Sequence, residues 1–150
     1  MDKLVVDSSV VVKWFLVEPY STEARTILDG YQAGRLSFHA PDLLNAELGN
    51  ILWKKQLFQG LDGADAQDVL DRFATLQVAF TSTESLLRDA HRMAVTLRRT
   101  VYDALYLALS AREDCQFVTA DEKLVNAVTQ SFPKIVWLGT WSETSRSPQE

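Results

Sequence analysis

The sequence predicts a single α/β domain, a parallel central sheet flanked by helices, over residues 1–141, with a polar tail over 142–150. Two observations carry that expectation. Short apolar runs alternate with longer stretches of helical periodicity, the pattern of strands buried on both faces between crossover helices. The composition, 47% hydrophobic and 23% charged over 150 residues, suits one sizeable core, whereas two domains would each have a thin one.

Leu4-Val5-Val6 is a β-branched run ending at Asp7 and reads as a buried strand. Ser8 and Ser9 open a short helix over Val10 to Leu16 that closes before Pro19. Ser21 or Thr22 is expected to cap a second helix with Ala24, Ile27, Leu28 and Tyr31 on one face, stopping near Gly34. Leu36 to Ala40 is a second strand. Pro41 suits the first turn of a helix from Asp42 to Phe58, where Leu44, Leu48, Ile51 and Leu52 recur at helical spacing. After Gly60 and Gly63, residues 64 to 77 form a helix with Val69, Leu70, Phe73 and Leu76 inward. Val78 to Phe80 is a brief strand, and Thr83 to Arg98 is helical. Tyr102 to Arg112 is an apolar helix, Phe117-Val118-Thr119 a strand, Asp121 to Thr129 a helix, and Ile135 to Leu138 the closing strand.

A formal net charge of -5 argues against a broad basic nucleic-acid face. It leaves room for an acidic site whose charge bound cations would offset. The single cysteine, Cys115, cannot form an internal disulfide, which fits a reducing cytoplasm, and no histidine stands near it to activate the thiol. No segment reaches the roughly 18 consecutive apolar residues of a membrane span, so no membrane is expected.

In a parallel sheet, ligands gather at the carboxyl ends of the strands. Leu4-Val5-Val6 runs into Asp7, and Phe117-Val118-Thr119 runs towards Asp121. Each acid also starts a helix, so an N-cap is the plain alternative for either. Glu47 shares the apolar stripe of its helix with Leu44 and Ile51, and Asp103 lies among Tyr102, Leu105, Tyr106 and Leu107. Charged residues are rarely buried unless paired or metal-bound, so a buried Arg partner is the plain alternative here. Four converging acids would repel one another without a cation. A hard divalent ion, Mg²⁺ or Mn²⁺, suits an all-carboxylate site, and two such ions ~4 Å apart can activate water for phosphodiester hydrolysis.

These segments resemble the four motifs of PIN-domain nucleases. The resemblance rests on Leu4-Val5-Val6-Asp7-Ser8-Ser9; on Pro41 with Leu44 through Glu47 to Leu52; on Tyr102-Asp103-Ala104-Leu105-Tyr106-Leu107-Ala108-Leu109; and on Val118-Thr119-Ala120-Asp121-Glu122-Lys123-Leu124. Order and spacing are similar to the VapC toxins of toxin–antitoxin pairs, from residue 4 to about 138. The resemblance implies Asp7, Glu47, Asp103 and Asp121 as the catalytic, metal-binding acids, with supporting hydroxyls at Ser8 and Thr119. It further implies an endoribonuclease toxin with RNA as substrate, a small antitoxin protein as partner and a homodimer. Two other readings stay open: a PIN nuclease of RNA maturation, and a PIN-like module that binds without cutting.

Other features carry less. His39 and His91 lack zinc-site spacing, and no phosphate-cradling glycine motif occurs. Asp7-Ser8-Ser9 lacks the second Asp of an aspartyl-nucleophile phosphatase, since Ser9 stands there. Asp62, Asp65, Asp68 and Asp71 read as a solvated helix face, because Phe73 occupies the closing position of a calcium loop. Arg98 and Arg99 shortly precede Asp103 and are candidates to reach RNA phosphates. Trp14, Phe15, Trp53 and Phe58 are expected in the core, any exposed subset forming a groove for the antitoxin.

Overall fold

In a computed structural model, described over residues 1–142, twelve main elements alternate along the chain. The first half runs β1 (Asp2–Val6), α1 (Ser8–Phe15), α2 (Ser21–Gln32), β2 (Leu36–Pro41), α3 (Leu43–Phe58) and α4 (Gly63–Ala74). The second runs β3 (Ala79–Thr81), α5 (Thr83–Leu97), α6 (Val101–Glu113), β4 (Gln116–Thr119), α7 (Glu122–Val128) and β5 (Ile135–Trp137). The polar tail expected over 142–150 lies, apart from Ser142, outside the described residues.

All five strands are parallel, in the order β3-β2-β1-β4-β5. The expected parallel sheet is therefore present. From β1 the chain steps outward through β2 to β3, then returns across the sheet to place β4 on the other side of β1. Right-handed crossovers put α1 to α4 on one face and α5 to α7 on the other. The reversal leaves a crevice at the carboxyl ends of β1 and β4, the topological switch point where such sheets bind ligands. Val6 pairs with Val118, so Asp7 and Thr119 emerge side by side at that edge.

The core follows from the strands' composition. Leu4, Val5, Val6, Phe38, Phe117 and Val118 are almost wholly buried, as strands covered on both faces must be. Helix α6 is the central helix of its layer, with Ala104 to Ser110 all buried. On the other face Phe38 stacks against both Trp14 and Tyr31, with ring centroids 4.7 Å apart in each pair. The indole N–H of Trp14 donates to the Ala24 carbonyl at 2.8 Å, tying α1 to α2. No helix among the described residues is long and apolar enough to cross a membrane.

Three local expectations are corrected. Pro41 does not open a helix; it is the last residue of β2, paired with Thr81, and α3 begins at Leu43. Asp42 spends its carboxylate on Thr83, accepting from the backbone N–H at 3.0 Å and the hydroxyl at 2.6 Å. Neither Ser21 nor Thr22 caps α2: Tyr20 stands at the cap with φ 68° and no side-chain bond. The Ser21 hydroxyl turns back, donating to the Leu16 carbonyl and accepting from the Glu18 N–H. The four aromatics expected in the core divide: Trp14 is buried and Phe15 partly so, while Trp53 is 51% and Phe58 75% exposed.

Trp14→Phe removes the donor to the buried Ala24 carbonyl while keeping an aromatic ring against Phe38. It is expected to lower stability by about 1–3 kcal/mol, seen as a lower urea midpoint with an unchanged m-value.

Candidate active site

The site is built at the switch-point crevice from side chains of β4 and the residues beginning α1, α3, α6 and α7. Asp7 accepts from both sides. Its Oδ1 takes the Ser9 hydroxyl at 2.5 Å and the Val10 N–H at 3.3 Å, and its Oδ2 takes the Thr119 hydroxyl at 2.6 Å. Both hydroxyls are themselves occupied from behind. Ala120 N–H donates to Ser9 Oγ at 3.0 Å, and Asp121 N–H donates to Thr119 Oγ1 at 3.1 Å. A hydroxyl has one proton, so accepting from the backbone leaves that proton to point at the carboxylate. By the same count, Oδ1 has both lone-pair directions filled, while Oδ2 keeps one open.

The other three acids continue the site away from Asp7. Glu47, on α3, accepts the Tyr106 hydroxyl at 2.5 Å, and the nearby Ser8 hydroxyl weakly favours its charged form. Asp103, in the first turn of α6, faces Arg99 at 3.5 Å. Asp121, exposed at the start of α7, accepts the Leu124 N–H at 3.1 Å. The cap and site readings of Asp7 and Asp121 are thus compatible, since each caps its helix with one oxygen. The Arg partner sought for Asp103 is present as Arg99.

Electrostatics register how close the acids come. Burial raises the Asp7 carboxyl to about 6, against the opposing bonds from Ser9, Thr119 and Val10, and the Glu47 charge raises it further. Glu47 is also shifted up, mainly by burial, with Asp103 adding to the Tyr106-opposed rise. Asp103 is raised by burial and by Asp121, against the pull of Arg99. Tyr106 is driven far upward, by burial and then by Asp7 and Glu47, so it remains a proton donor. The Cys115 thiol, outside the site, is pushed up to about 11 by burial and is inert at neutral pH.

Among the described residues, no three His, Cys, Asp or Glu side chains stand close enough together, as placed, to hold a metal ion. The four acids form a chain of electrostatic neighbours instead. Their donor chemistry suits a hard cation: the side chains offer only oxygens, three of the four carboxyls are held above their usual range, and Arg99 pairs with Asp103 alone. Were such an ion to bind here, Asp7, Glu47, Asp103 and Asp121 would be the oxygen donors to hold it.

Of the hydroxyls picked from sequence, Thr119 lies on Asp7 and Ser8 lies on Glu47. Ser9 and Tyr106 were missed as site groups. Tyr106 stands one helical turn after Asp103, a spacing that places both on one face, but in so apolar a helix its ring reads as core. Arg98 ends α5 in the left-handed conformation and is exposed, whereas Arg99 turns to Asp103.

Between the open-chain value of 3.8 and about 6, the folded, metal-free protein holds a proton on Asp7 that the unfolded chain releases. Stability from this group is therefore highest below about pH 4, falls as pH rises to about 6, and stays reduced above that. Asp7→Asn removes the charge and is expected to stabilise the metal-free protein at pH 7.5 by about 1–2 kcal/mol, with the gain vanishing near pH 4. Urea melts in EDTA at the two pH values check this; equal stability at pH 7.5 contradicts it.

Comparison with known proteins places these residues in context. The chain is 31% identical over 138 residues to "Ribonuclease VapC3" of Pyrobaculum aerophilum, covering 89% of this chain and 98% of that protein. It is 30% identical over 128 residues to "Ribonuclease VapC1" of Mycobacterium tuberculosis, covering 85% and 92%. A crystal structure of PAE2754 from Pyrobaculum aerophilum shares the fold, with a TM-score of 0.64 at 23% identity, over 93% of this chain and 85% of that one. The model of the PIN domain matches residues 4–128, a span that begins in β1, ends with α7 and takes in all four acids. The chain belongs to the PIN domain family.

Proposed function

We propose that this chain is a metal-dependent endoribonuclease, the toxin of a VapBC-type toxin–antitoxin pair. The observation that supports the reading is that Asp7, Glu47, Asp103 and Asp121 form a chain of neighbouring charges starting at the carboxyl end of β1. The near full-length likeness to two proteins named as VapC ribonucleases supplies the substrate class.

Mg²⁺ or Mn²⁺, when bound, would supply the positive charge that polarises the phosphate and lowers the pKa of an attacking water. The chain's own residues do the rest. Ser9 and Thr119 fix the plane of the Asp7 carboxylate and leave Oδ2 open towards the crevice. Tyr106 holds Glu47 as an acceptor. Arg99 offsets the charge of Asp103 and, were a cation bound there, would be available to a phosphate oxygen. With Asp121 at the exposed rim, the carboxylates graduate from enclosed to open, which suits entry of a charged polymer.

As partners we propose the cognate antitoxin and a second copy of the chain. The exposed Trp53, Leu57 and Phe58 near the end of α3 give the antitoxin an apolar seat. A reducing cytoplasm suits the one free cysteine. The open spacing of the carboxylates favours one second reading, a PIN module that binds RNA without cutting it.

The deciding experiment follows labelled RNA with purified protein. Cleavage is expected with Mg²⁺ or Mn²⁺, none in EDTA, and a loss on the order of 100-fold or more for Asp7→Asn. RNA that survives unchanged under all conditions supports the binding module and refutes the nuclease. Tyr106→Phe keeps the ring against Phe117 and removes only the donor to Glu47. It is expected to reduce activity by about 10-fold at limiting Mn²⁺, with partial recovery at higher Mn²⁺ and an unchanged thermal midpoint.

A further inference from the structure

A second feature opens beside the carboxylates. A cleft of about 270 Å³ runs between α1 and α3, lined among others by Ser9, Lys13, Glu18, Ile51, Lys54 and Lys55. Ser9, whose hydroxyl holds Asp7, is among its lining residues. Lys13 follows Ser9 by one helical turn on α1, so the lysine and the hydroxyl share a face. On α3, Ile51, Lys54 and Lys55 follow Glu47 by four, seven and eight residues, so all lie on one stripe. At the helical rise, the two lysines stand roughly 10–12 Å from Glu47 along the axis. The cleft therefore continues the active-site crevice rather than forming a separate hollow.

Its charge is out of balance. Lys13 and Lys55 both pair with the one carboxylate of Glu18, Lys13 at 3.0 Å, and their side chains are only 12% and 19% exposed. Burial alone would raise Glu18, but the two lysines hold it below its usual range, so it is an anion. Two half-enclosed ammonium groups thus share one negative charge, with Lys54 exposed at the rim. In a chain of net charge -5, this is a local concentration of positive charge. An excess of cation in a partly dry cleft is unfavourable unless an anion joins it, and focuses field on any anion that does. The spacing from Glu47 is that of a flanking phosphate, not of the one being cut, and Ile51 offers apolar surface to a ribose or base.

We infer that this cleft is a subsite for a flanking backbone phosphate of single-stranded RNA, held by Lys13, Lys54 and Lys55 and orientated by Glu18. The identity of the strand rests on the nuclease reading above. Glu18 keeps two like charges side by side in the empty cleft, so little rearrangement is needed when the phosphate enters. The consequence is that substrates are gripped on one side of the cut.

The test measures binding and cleavage separately. Anisotropy of a fluorescent 2′-O-methyl ten-nucleotide RNA in EDTA reports binding alone, for the wild type, Lys13→Gln, Lys54→Ala, Lys55→Gln and Lys55→Arg. Lys134→Ala removes the same charge at the opposite edge of the sheet, beside Asp114. Each neutral cleft variant is expected to weaken binding roughly 5-fold and to flatten the salt dependence by about 0.7 in log–log slope, while Lys55→Arg stays near wild type. Lys54 takes no part in the Glu18 pairing, so its variant tests the cleft without disturbing the loop. Binding by the cleft variants no weaker than that of Lys134→Ala overturns the subsite. So does weaker binding with an unchanged salt slope, the signature of a loosened α1–α2 loop. If the wild type cleaves no RNA with Mn²⁺ yet the lysine variants lose affinity, the nuclease reading fails and the subsite stands.

Discussion

The negative charge of Asp7 has to be accommodated at the centre of the sheet, and much of the site follows from how this is done. A carboxylate at the end of the middle strand is removed from most of the water that would stabilise it, which is why its proton affinity is raised to about 6. Three donors offset part of that cost: the hydroxyls of Ser9 and Thr119 and the N–H of Val10. Those donors come from α1 and β4, so satisfying Asp7 also joins the first strand's exit to the fourth's. The peptide N–H groups of Ala120 and Asp121 then fix the hydroxyl rotors. The network is polar, local and closed except at one oxygen of Asp7.

The fold was readable because its strands are short, β-branched and buried on both faces. Leu4-Val5-Val6 and Phe117-Val118-Thr119 have few other ways to be placed, and the parallel order follows from the helices between them. Boundaries set by tertiary contacts were not readable. Pro41 fits either a helix start or a strand end; what decides is its pairing with Thr81, forty residues away. Ser21 has the chemistry of a cap, but the tight turn at Tyr20 leaves its hydroxyl closer to Leu16 and Glu18 than to its own helix.

The candidate site divides in the same way. The four acids stand out because charge on an apolar stripe or at a strand end calls for an explanation, and in the fold each feels the charge of the next. Which hydroxyl serves which carboxylate was beyond a linear pattern. Ser8 and Ser9 are adjacent and alike, yet one helical residue is a rotation of about 100°, so they serve Glu47 and Asp7 respectively. Arg99 could be placed near the site from sequence, but its choice of Asp103 depends on the turn at Arg98, a left-handed residue that no side-chain chemistry announces.

The position of β1 has a bearing on how the molecule comes into being. Of the five strands, the one synthesised before the others is the middle strand of the sheet, and its two neighbours begin at Leu36 and Gln116. Its register on one side must wait for more than a hundred residues of synthesis, and pairings of such long range are slow to form. Until β4 exists, Asp7 has neither Thr119 nor the backbone that orientates Ser9. A chain interrupted anywhere before that point carries the first acids without the means to hold them. Assembly of the site thus waits on β4, and a chain that stops short of it lacks both Thr119 and Asp121.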